Sequence, residues 1–391
     1  MKKNKFFYHT IANVKFHNLL IEASKLSISK KLKLKEITSK QVSFSHSPSF
    51  NLIFFLIKNT LNLKLFFTHQ FILLKYKDCD IGRYAASVSF RSNKILDNQL
   101  YKVFILIKNI IKSGLIIDNA LKIVKSSHGI YVEHVCYFGA LYIKIFSKFN
   151  KIVYFNGWPR GFAVIDYRKK QNLKIQDSRI IRITPSKKKI NNQIYSIATK
   201  KVEGIINQPK KNLYYMKYAP YSKNIKKRIR SIDFENIEYL IYAHSFVDGQ
   251  LDYGYDGFAN LHEWLEFTIK HLIKRKKKFI VKGHPNFFNK TLGAISEQDL
   301  IIFRKLKDKY SSEQVIFIDE PVQNSLIFNK LLKKTIILSH HGTAILEATH
   351  MGYKSICSVY SLWDQKFNIS NQWSTKNQYI KLLNLPYKNL K

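Results

Sequence analysis

Acidic side chains are scarce in this chain. Only 26 Asp and Glu stand against 66 Lys and Arg among 391 residues, a formal net charge of +40. A field of that size favours polyanions: nucleic acid, anionic lipid or phosphorylated substrates. Part of the excess is compositional, because Lys, Ile and Asn are abundant throughout, the pattern of an AT-biased genome. Cysteine is equally sparse. Cys79, Cys136 and Cys357 form no CxxC pair and no disulfide framework, which fits a reducing cytoplasm. Long apolar runs are missing too. The most apolar stretch, FNLIFFLIKNTLNLKLFFTHQFILL (50–74), is broken by Lys58 and Lys64, whereas a spanning helix needs about 20 nearly uninterrupted apolar residues. No transmembrane segment is expected, and peripheral attachment to an inner membrane stays open. The basic start MKKNKFFYHTIANVKFHNLL is interrupted by His9, Asn13, Lys15 and His17 and makes a poor signal peptide.

Missing motifs exclude further classes. Without a Walker A loop or a GxGxxG turn, ATP hydrolysis and a classical dinucleotide fold lose support. No GxSxG or catalytic-cysteine signature is present. The aromatic residues show no RNA-recognition or zinc-finger order, and no helix-turn-helix is evident. No repeat of solenoid period is found.

What is present is a core-forming composition, 46% hydrophobic, and an alternation of strand and helix patterns. In the C-terminal part IEYLIYAHS (237–245), KFIVKGHP, QVIFIDE, TIILSHH and KSICSVY read as strands. Between them LHEWLEFTIKHLIKR carries Leu261, Trp264, Leu265, Thr268, Ile269 and Leu272 at helical spacing. EQDLIIFRKLKDKY, VQNSLIFNKLLKK after Pro321, and TAILEATHM before Gly352 also read as helices. Such alternation implies a parallel sheet covered on both faces, with ligands bound beyond the carboxyl ends of its strands. In the N-terminal half QVSFS (41–45), FILLKY (71–76), GIYVEH (129–134) and KIVYFN (151–156) suggest strands. Residues 96–113 and 136–149 suggest helices. The polar, lysine-rich stretch 165–230 places a boundary near 230. This gives an N-terminal α/β domain with a basic linker (1–230) and a C-terminal domain (231–391).

Four segments fall where C-terminal strands should end: HSFVDGQ (244–250), KGHPN (282–286), DEP (319–321) and SHHGTAILE (339–347). Their polar residues should gather on one sheet edge. Gly342 would let the backbone turn and a ligand approach. Thr343 suits a helix N-cap, where free N–H groups bind anions. Glu347, one turn in, suits a ribose or sugar hydroxyl. Lys282 and His284 flank a tight turn and suit phosphate, with His also able to act as an acid. His244, Ser245, Asp248, Asp252 and Asp256 concentrate polar and scarce acidic groups in one glycine-rich loop. Each segment taken alone also reads as an ordinary cap, turn or packing detail. A metal set from His340, His341 and His350 is not expected, because neighbouring strand residues face opposite ways and no ligand spacing supports it. KRKKK (274–278) reads most simply as a solvated helix end.

In order, YAHSFVDGQLDYGYDGFANLHEWLEFTI, VKGHPN and SHHGTAILEATHMGYKSIC resemble the C-terminal half of bacterial capsule and surface-polysaccharide biosynthesis proteins, the group that includes Kdo-transferase-like glycosyltransferases. The resemblance spans roughly residues 237–365. It implies a GT-B fold: two Rossmann-like α/β domains with parallel sheets facing a cleft, the nucleotide-sugar donor held mainly by the C-terminal one. It further implies that Lys282, His284 and Pro285 lie near the donor phosphates. Ser339, His341, Gly342 and Thr343 would hold the diphosphate or monophosphate, Glu347 a ribose or sugar hydroxyl, and His244, Ser245, Asp248 and His340 would complete the donor site. DIGRYAASVSFRS (80–92) and IYVEHVCYFGALY (130–142) resemble the family's substrate-facing loops. The acceptor base is then sought there, with Glu133 first and Asp80 and His134 after it. No cofactor or metal is expected, since the nucleotide-sugar is itself a substrate.

The expected function is a cytoplasmic glycosyltransferase that extends a glycan or lipid-linked acceptor, peripheral on an anionic membrane surface. Two alternatives accompany it. One is a CDP-glycerol-type polyol-phosphate transferase or a sugar-nucleotide epimerase on the same fold. The other is a polyanion- or nucleic-acid-binding protein, which would show steeply salt-dependent binding. The convergent loops disfavour the last, so no specific nucleic acid is expected as a partner.

Overall fold

The structure is a computed structural model. It describes residues 4–9, 37–41, 48–90, 99–132, 137–156, 162–166, 192–212, 232–247, 251, 254–289, 294–361 and 369–391. The chain folds as two units. The first holds Met1–Ser89, Lys94–Ile183 and Leu251–Tyr253, the second Phe90–Asn93, Thr184–Gln250 and Gly254–Lys391. Residues 192–212, placed before the boundary at 230 by composition, thus belong with the second unit.

The first unit runs β1 (Asn4–His9), β2 (Ile37–Gln41), α1 (Phe50–Thr60), α2 (Leu63–Phe67), α3 (Ile81–Ser89), α4 (Gln99–Val124), β3 (Gly129–Val132), α5 (Tyr137–Lys148), β4 (Ile152–Asn156) and β5 (Phe162–Asp166). Its sheet has the order β2-β1-β3-β4-β5. All pairings are parallel except β4 with β5, an antiparallel edge. Two expectations change here. FILLKY does not form a strand: Gln70–Leu73 is a turn of 3-10 helix, entered through His69 in the left-handed region. Phe71 and Ile72 are both buried, while the adjoining Leu73 is 63% exposed. A Cβ at Gly82 would lie 1.7 Å from the Phe71 carbonyl oxygen, so α3 seats directly on that turn. The helix expected to end at Ser113 instead runs through Gly114 to Val124. A Cβ on Gly114 would meet Leu52 Cδ1 at 2.3 Å. That glycine serves close packing against α1 rather than termination. The expected strand 41–45 overlaps β2 only at Gln41; residues 42–45 lie outside the described residues.

The second unit adds α6 (Asn192–Asn207), α7 (Pro209–Asn212), β6 (Tyr239–Tyr242), α8 (Leu261–Lys274), β7 (Phe279–Lys282), α9 (Ala294–Tyr310), β8 (Val315–Ile318), α10 (Asn324–Phe328), β9 (Ile336–Ser339), α11 (Ala344–His350), β10 (Ser355–Ser358), β11 (Asn371–Trp373) and α12 (Lys376–Asn384). Its six-stranded sheet has the order β11-β10-β9-β6-β7-β8, parallel throughout. Counted within the unit and read from the β8 edge, that is the doubly wound order 3-2-1-4-5-6. β6, β7, β9 and β10 are buried along their whole length, as a sheet covered on both faces requires. Leu240, Ile280 and Ile337 are fully buried in the core. Each contributes about 1.5–3 kcal/mol by leaving water.

The apolar spacing of α8 holds to the residue: Leu261, Trp264, Leu265, Thr268, Ile269 and Leu272 are its buried face. Gly352 stops α11 at φ 77°. The helix expected over 322–334 shortens to α10. The Tyr353 hydroxyl donates to the carbonyls of Phe328 and Leu331, which ends the helix before its lysines. The fold class is the expected α/β, GT-B-like one: two Rossmann-like units in succession, each on a predominantly parallel sheet.

Candidate functional site

The strand order reverses between β6 and β9, and there the carboxyl ends of adjacent parallel strands send their connections to opposite faces. Doubly wound sheets bind ligands at this switch point. An open cleft of about 590 Å³, mouth included, lies here in the second unit. Tyr242, Ala243 and His244 line it after β6. Lys282, Gly283, His284 and Pro285 follow β7, and Ser339, Gly342, Thr343, Ala344 and Glu347 follow β9. Val322 and Asn324 close one side, and Ile205, Ile206 and Pro209 from α6 and α7 form an apolar wall.

Lys282 dominates the electrostatics. It is the last residue of β7 and only 1% exposed. Among the described residues its ammonium makes no hydrogen bond or ion pair. It lies 5.3 Å from the centroid of the Tyr242 ring. Burial pushes it down to about 8, against the opposing pull of the Glu347 charge. Glu347 is itself buried, and burial raises its carboxyl although Asn324, Lys282 and Thr343 counteract this. Asn324 Nδ2 donates to Glu347 Oε2 at 2.6 Å and Thr343 Oγ1 to Oε1 at 3.3 Å. Thr343 stands at the N-cap position but in helical conformation, with no side-chain cap bond. Its hydroxyl serves Glu347 instead. α11 has only seven residues, so the positive charge of the site comes chiefly from Lys282. Gly342 has no positive φ. It contributes space, since a Cβ there would stand 3.0 Å from Ser339 Oγ.

His284 begins the 3-10 turn Pro285–Phe288, and its Nδ1 accepts the Asn286 N–H at 3.1 Å. That leaves Nε2 as the protonated nitrogen. Burial, His244 and Lys282 together hold the ring well below its ordinary value. His284 is therefore a neutral donor near pH 7, not the acid its residue type suggested.

The remaining expected residues separate. His244 lines the cleft, its ring 4.0 Å from His341 and 5.5 Å from His284 between centroids. His340 and His341 do not point to opposite faces: they follow the end of β9, and their Nδ1 atoms lie 2.8 Å apart. His340 turns away from the cleft into a buried nest. Its Nε2 is 2.9 Å from Asp256 Oδ2, and Trp264 and Trp373 meet its ring edge-on. Ser245 does not line the cleft. With the Phe246 and Val247 N–H groups it donates to Asp299, which ties the loop after β6 onto α9. Asp80 is an ion-pair hub, 2.8 Å from Lys144 Nζ and 3.2 Å from Arg83. Burial raises its carboxyl, but those cations outweigh burial and hold it below the ordinary value. Such a carboxylate is a weak base. Asp248, Glu133 and His134 lie outside the described residues.

Two contributors belong to no sequence motif, Asn324 and Asp299, while Tyr242 heads the YAHSFVDGQ stretch. Asp299 alone leaves a signal, an acid on the apolar side of a helix in an acid-poor chain. Among the described residues no group of three His, Cys, Asp or Glu side chains is arranged to hold a metal ion.

No family profile matches the chain, and no curated protein matches it. Among solved structures it is similar to the Methanocaldococcus jannaschii UDP-GlcNAc 2-epimerase in complex with UDP-GlcNAc and UDP. That match has 12% identity and TM-score 0.33 over 100% of this chain and 95% of that one. It is also similar to an α,α-trehalose-phosphate synthase (UDP-forming) from Burkholderia vietnamiensis, at 9% identity and TM-score 0.32 over 99% and 92%. A UDP-GlcNAc 2-epimerase from Neisseria meningitidis bound to UDP-GlcNAc matches at 16% and 0.30 over 98% and 90%. At these identities and scores the likeness adds nothing to what the two sheets themselves show.

Proposed function

We propose that the chain is a glycosyltransferase that binds a nucleotide-sugar at the β6/β9 switch point and passes the sugar to a growing capsular or surface polysaccharide, or to a lipid-linked acceptor. One observation carries this reading: a buried Lys282 ammonium, with no hydrogen bond or ion pair among the described residues, opens into a cleft beside a neutral histidine donor and a carboxyl held by Asn324 and Thr343. A buried cation without a partner is costly, and a phosphate group supplies the missing partner.

Sugar transfer breaks the bond between the anomeric carbon and the phosphate oxygen. It forms a bond from that carbon to an acceptor oxygen, whose proton goes to a base. Negative charge grows on the departing phosphate. Lys282 and His284 Nε2–H are suited to stabilise that charge, and Glu347 to accept from a ribose or sugar hydroxyl. The base is sought in the first unit, with Glu133, which directly follows β3 in sequence, the first candidate.

The test is a thermal-shift series of the full chain with CMP, CDP, UDP, GDP and ADP, in wild type and in His284→Ala. A ligand at 100 times its Kd should stabilise by about 2.7 kcal/mol. A shift with one nucleotide, lost in the variant, supports the reading. No shift with any nucleotide, together with strong stabilisation by RNA or heparin, refutes it. Product analysis then separates sugar transfer from polyol-phosphate transfer and epimerisation.

A further inference from the structure

The described residues of the first unit leave one apolar surface uncovered. On α1 the residues Phe50, Ile53, Phe54 and Ile57, followed by Leu61, recur at helical spacing and are 82%, 40%, 64%, 55% and 77% exposed. At 100° per residue they form one stripe. The opposite side of α1 is the side that packs: Leu52 is buried against Gly114 of α4. The helix is apolar on two faces, and among the described residues only one is packed.

Other elements of the first unit also expose large apolar side chains. Phe67 and Leu73, and Leu100 and Phe104 at the start of α4, are all more than half exposed. The stripe is also held in place. Ser49 caps α1 by accepting the Leu52 N–H and donates to Asp118 Oδ2. Tyr76 and Lys77 bond the other carboxylate oxygen of Asp118.

Charge decides what covers such a face. Residues 48–76 and 99–117 contain no Asp or Glu. Lys58, Lys64, Lys75 and Lys108 are exposed among them, while the Lys112 ammonium lies over the Phe138 ring of α5. Large aromatic and aliphatic side chains bordered by lysines, the adjoining acid Asp118 being buried and paired with Lys77, match the interface of an anionic bilayer. There the apolar side chains sit about 5–10 Å into the boundary between headgroups and acyl chains, and the ammonium groups stay among the phosphates. A second copy of the chain would instead bring like-charged surfaces together. No helix among the described residues is long and apolar enough to cross a membrane.

We infer that α1, with the start of α4, is a monotopic docking surface that lays the first unit on an anionic lipid bilayer. The surface uses residues of the first unit alone and is independent of the reaction proposed for the switch-point cleft. The net charge of +40 will draw the whole protein to anionic vesicles regardless, so the experiment must separate insertion from attraction. Full-length protein is sedimented with phosphatidylcholine vesicles, with and without phosphatidylglycerol, at physiological and raised salt. Phe50→Ser/Phe54→Ser leaves every charge in place. Each phenylalanine removed should lower the partition coefficient by on the order of tenfold, and wild-type binding should persist at salt that releases the variant. In a Phe54→Trp protein, emission should shift to the blue on anionic vesicles and be quenched by shallow spin-labelled lipid. Equal binding by wild type and double variant, with no quenching, overturns the proposal in favour of charge alone. A wild-type dimer that the double variant dissociates overturns it in favour of a second copy. A double variant that loses its folded circular-dichroism signal shows that the face packs within the chain.

Discussion

Replacing Lys282 with Met should stabilise the protein while abolishing its ligand binding. The ordinary lysine value is 10.5, and burial holds this ammonium at about 8. A displacement of that size corresponds to about 3 kcal/mol for keeping the charge in the folded protein. Lys282 is 1% exposed, so solvent screening removes little of that figure. Below pH 8 folded and unfolded states both hold the proton, and the folded state bears the whole penalty. Between about 8 and 10.5 the folded state releases the proton while the unfolded state keeps it, so wild-type stability rises with pH. The advantage of Lys282→Met should therefore be about 3 kcal/mol at pH 7 and fall to about 1 kcal/mol by pH 9.5. Glu347 lies in the field of this ammonium. Its freer protonation in the variant adds to the gain. Urea melts at the two pH values measure the effect through tryptophan fluorescence, since Trp264 and Trp373 lie in the core of the second unit. With slopes of about 1–3 kcal/mol/M, the midpoint at pH 7 should rise by about 1 M or more. A variant no more stable than wild type at pH 7, or an advantage that stays flat to pH 9.5, would refute the account of Lys282 as a buried, unpartnered cation.

Two further outcomes follow from the same geometry. Affinity for the stabilising nucleotide should be flat below about pH 8 and fall above it, because binding must then restore the Lys282 proton. Isothermal titration in two buffers of different ionisation enthalpy should show proton uptake only on the alkaline side. In the first unit, Gly114→Ala forces a Cβ to 2.3 Å from Leu52 Cδ1 and should cost about 1–3 kcal/mol by overpacking. In a Leu52→Ala background Gly114→Ala should cost less than it does in wild type, a coupling read from a double-mutant cycle of denaturant melts, and a single variant as stable as wild type would contradict the α1–α4 packing.

Local signals are legible in proportion to their periodicity. The α8 stripe, the apolar strands of the second unit and the stop at Gly352 can be read directly, because spacing and a left-handed turn are properties of neighbouring residues. β11, with the sequence Asn-Gln-Trp, cannot: it owes its strand to pairing with β10. FILLKY misleads because a short apolar run fits a strand and a buried turn equally well. In the candidate site, the loops at the strand ends point to Lys282, His284 and Glu347 together. They do not reveal that His340 leaves the group to pair with Asp256, or that Ser245 bonds Asp299.

Composition and short-range pattern suffice for an α/β chain with alternating elements, an excess of positive charge and a set of polar loops after strands. The rest depends on how the elements assemble. Assembly sets the strand order that brings the β6, β7 and β9 ends to one cleft. It also sets the burial that pulls the Lys282 ammonium down to about 8 and keeps His284 neutral. It leaves one apolar face of α1 exposed while burying the other. Burial and desolvation depend on residues far apart in sequence, and no local spacing encodes which side chains water can reach.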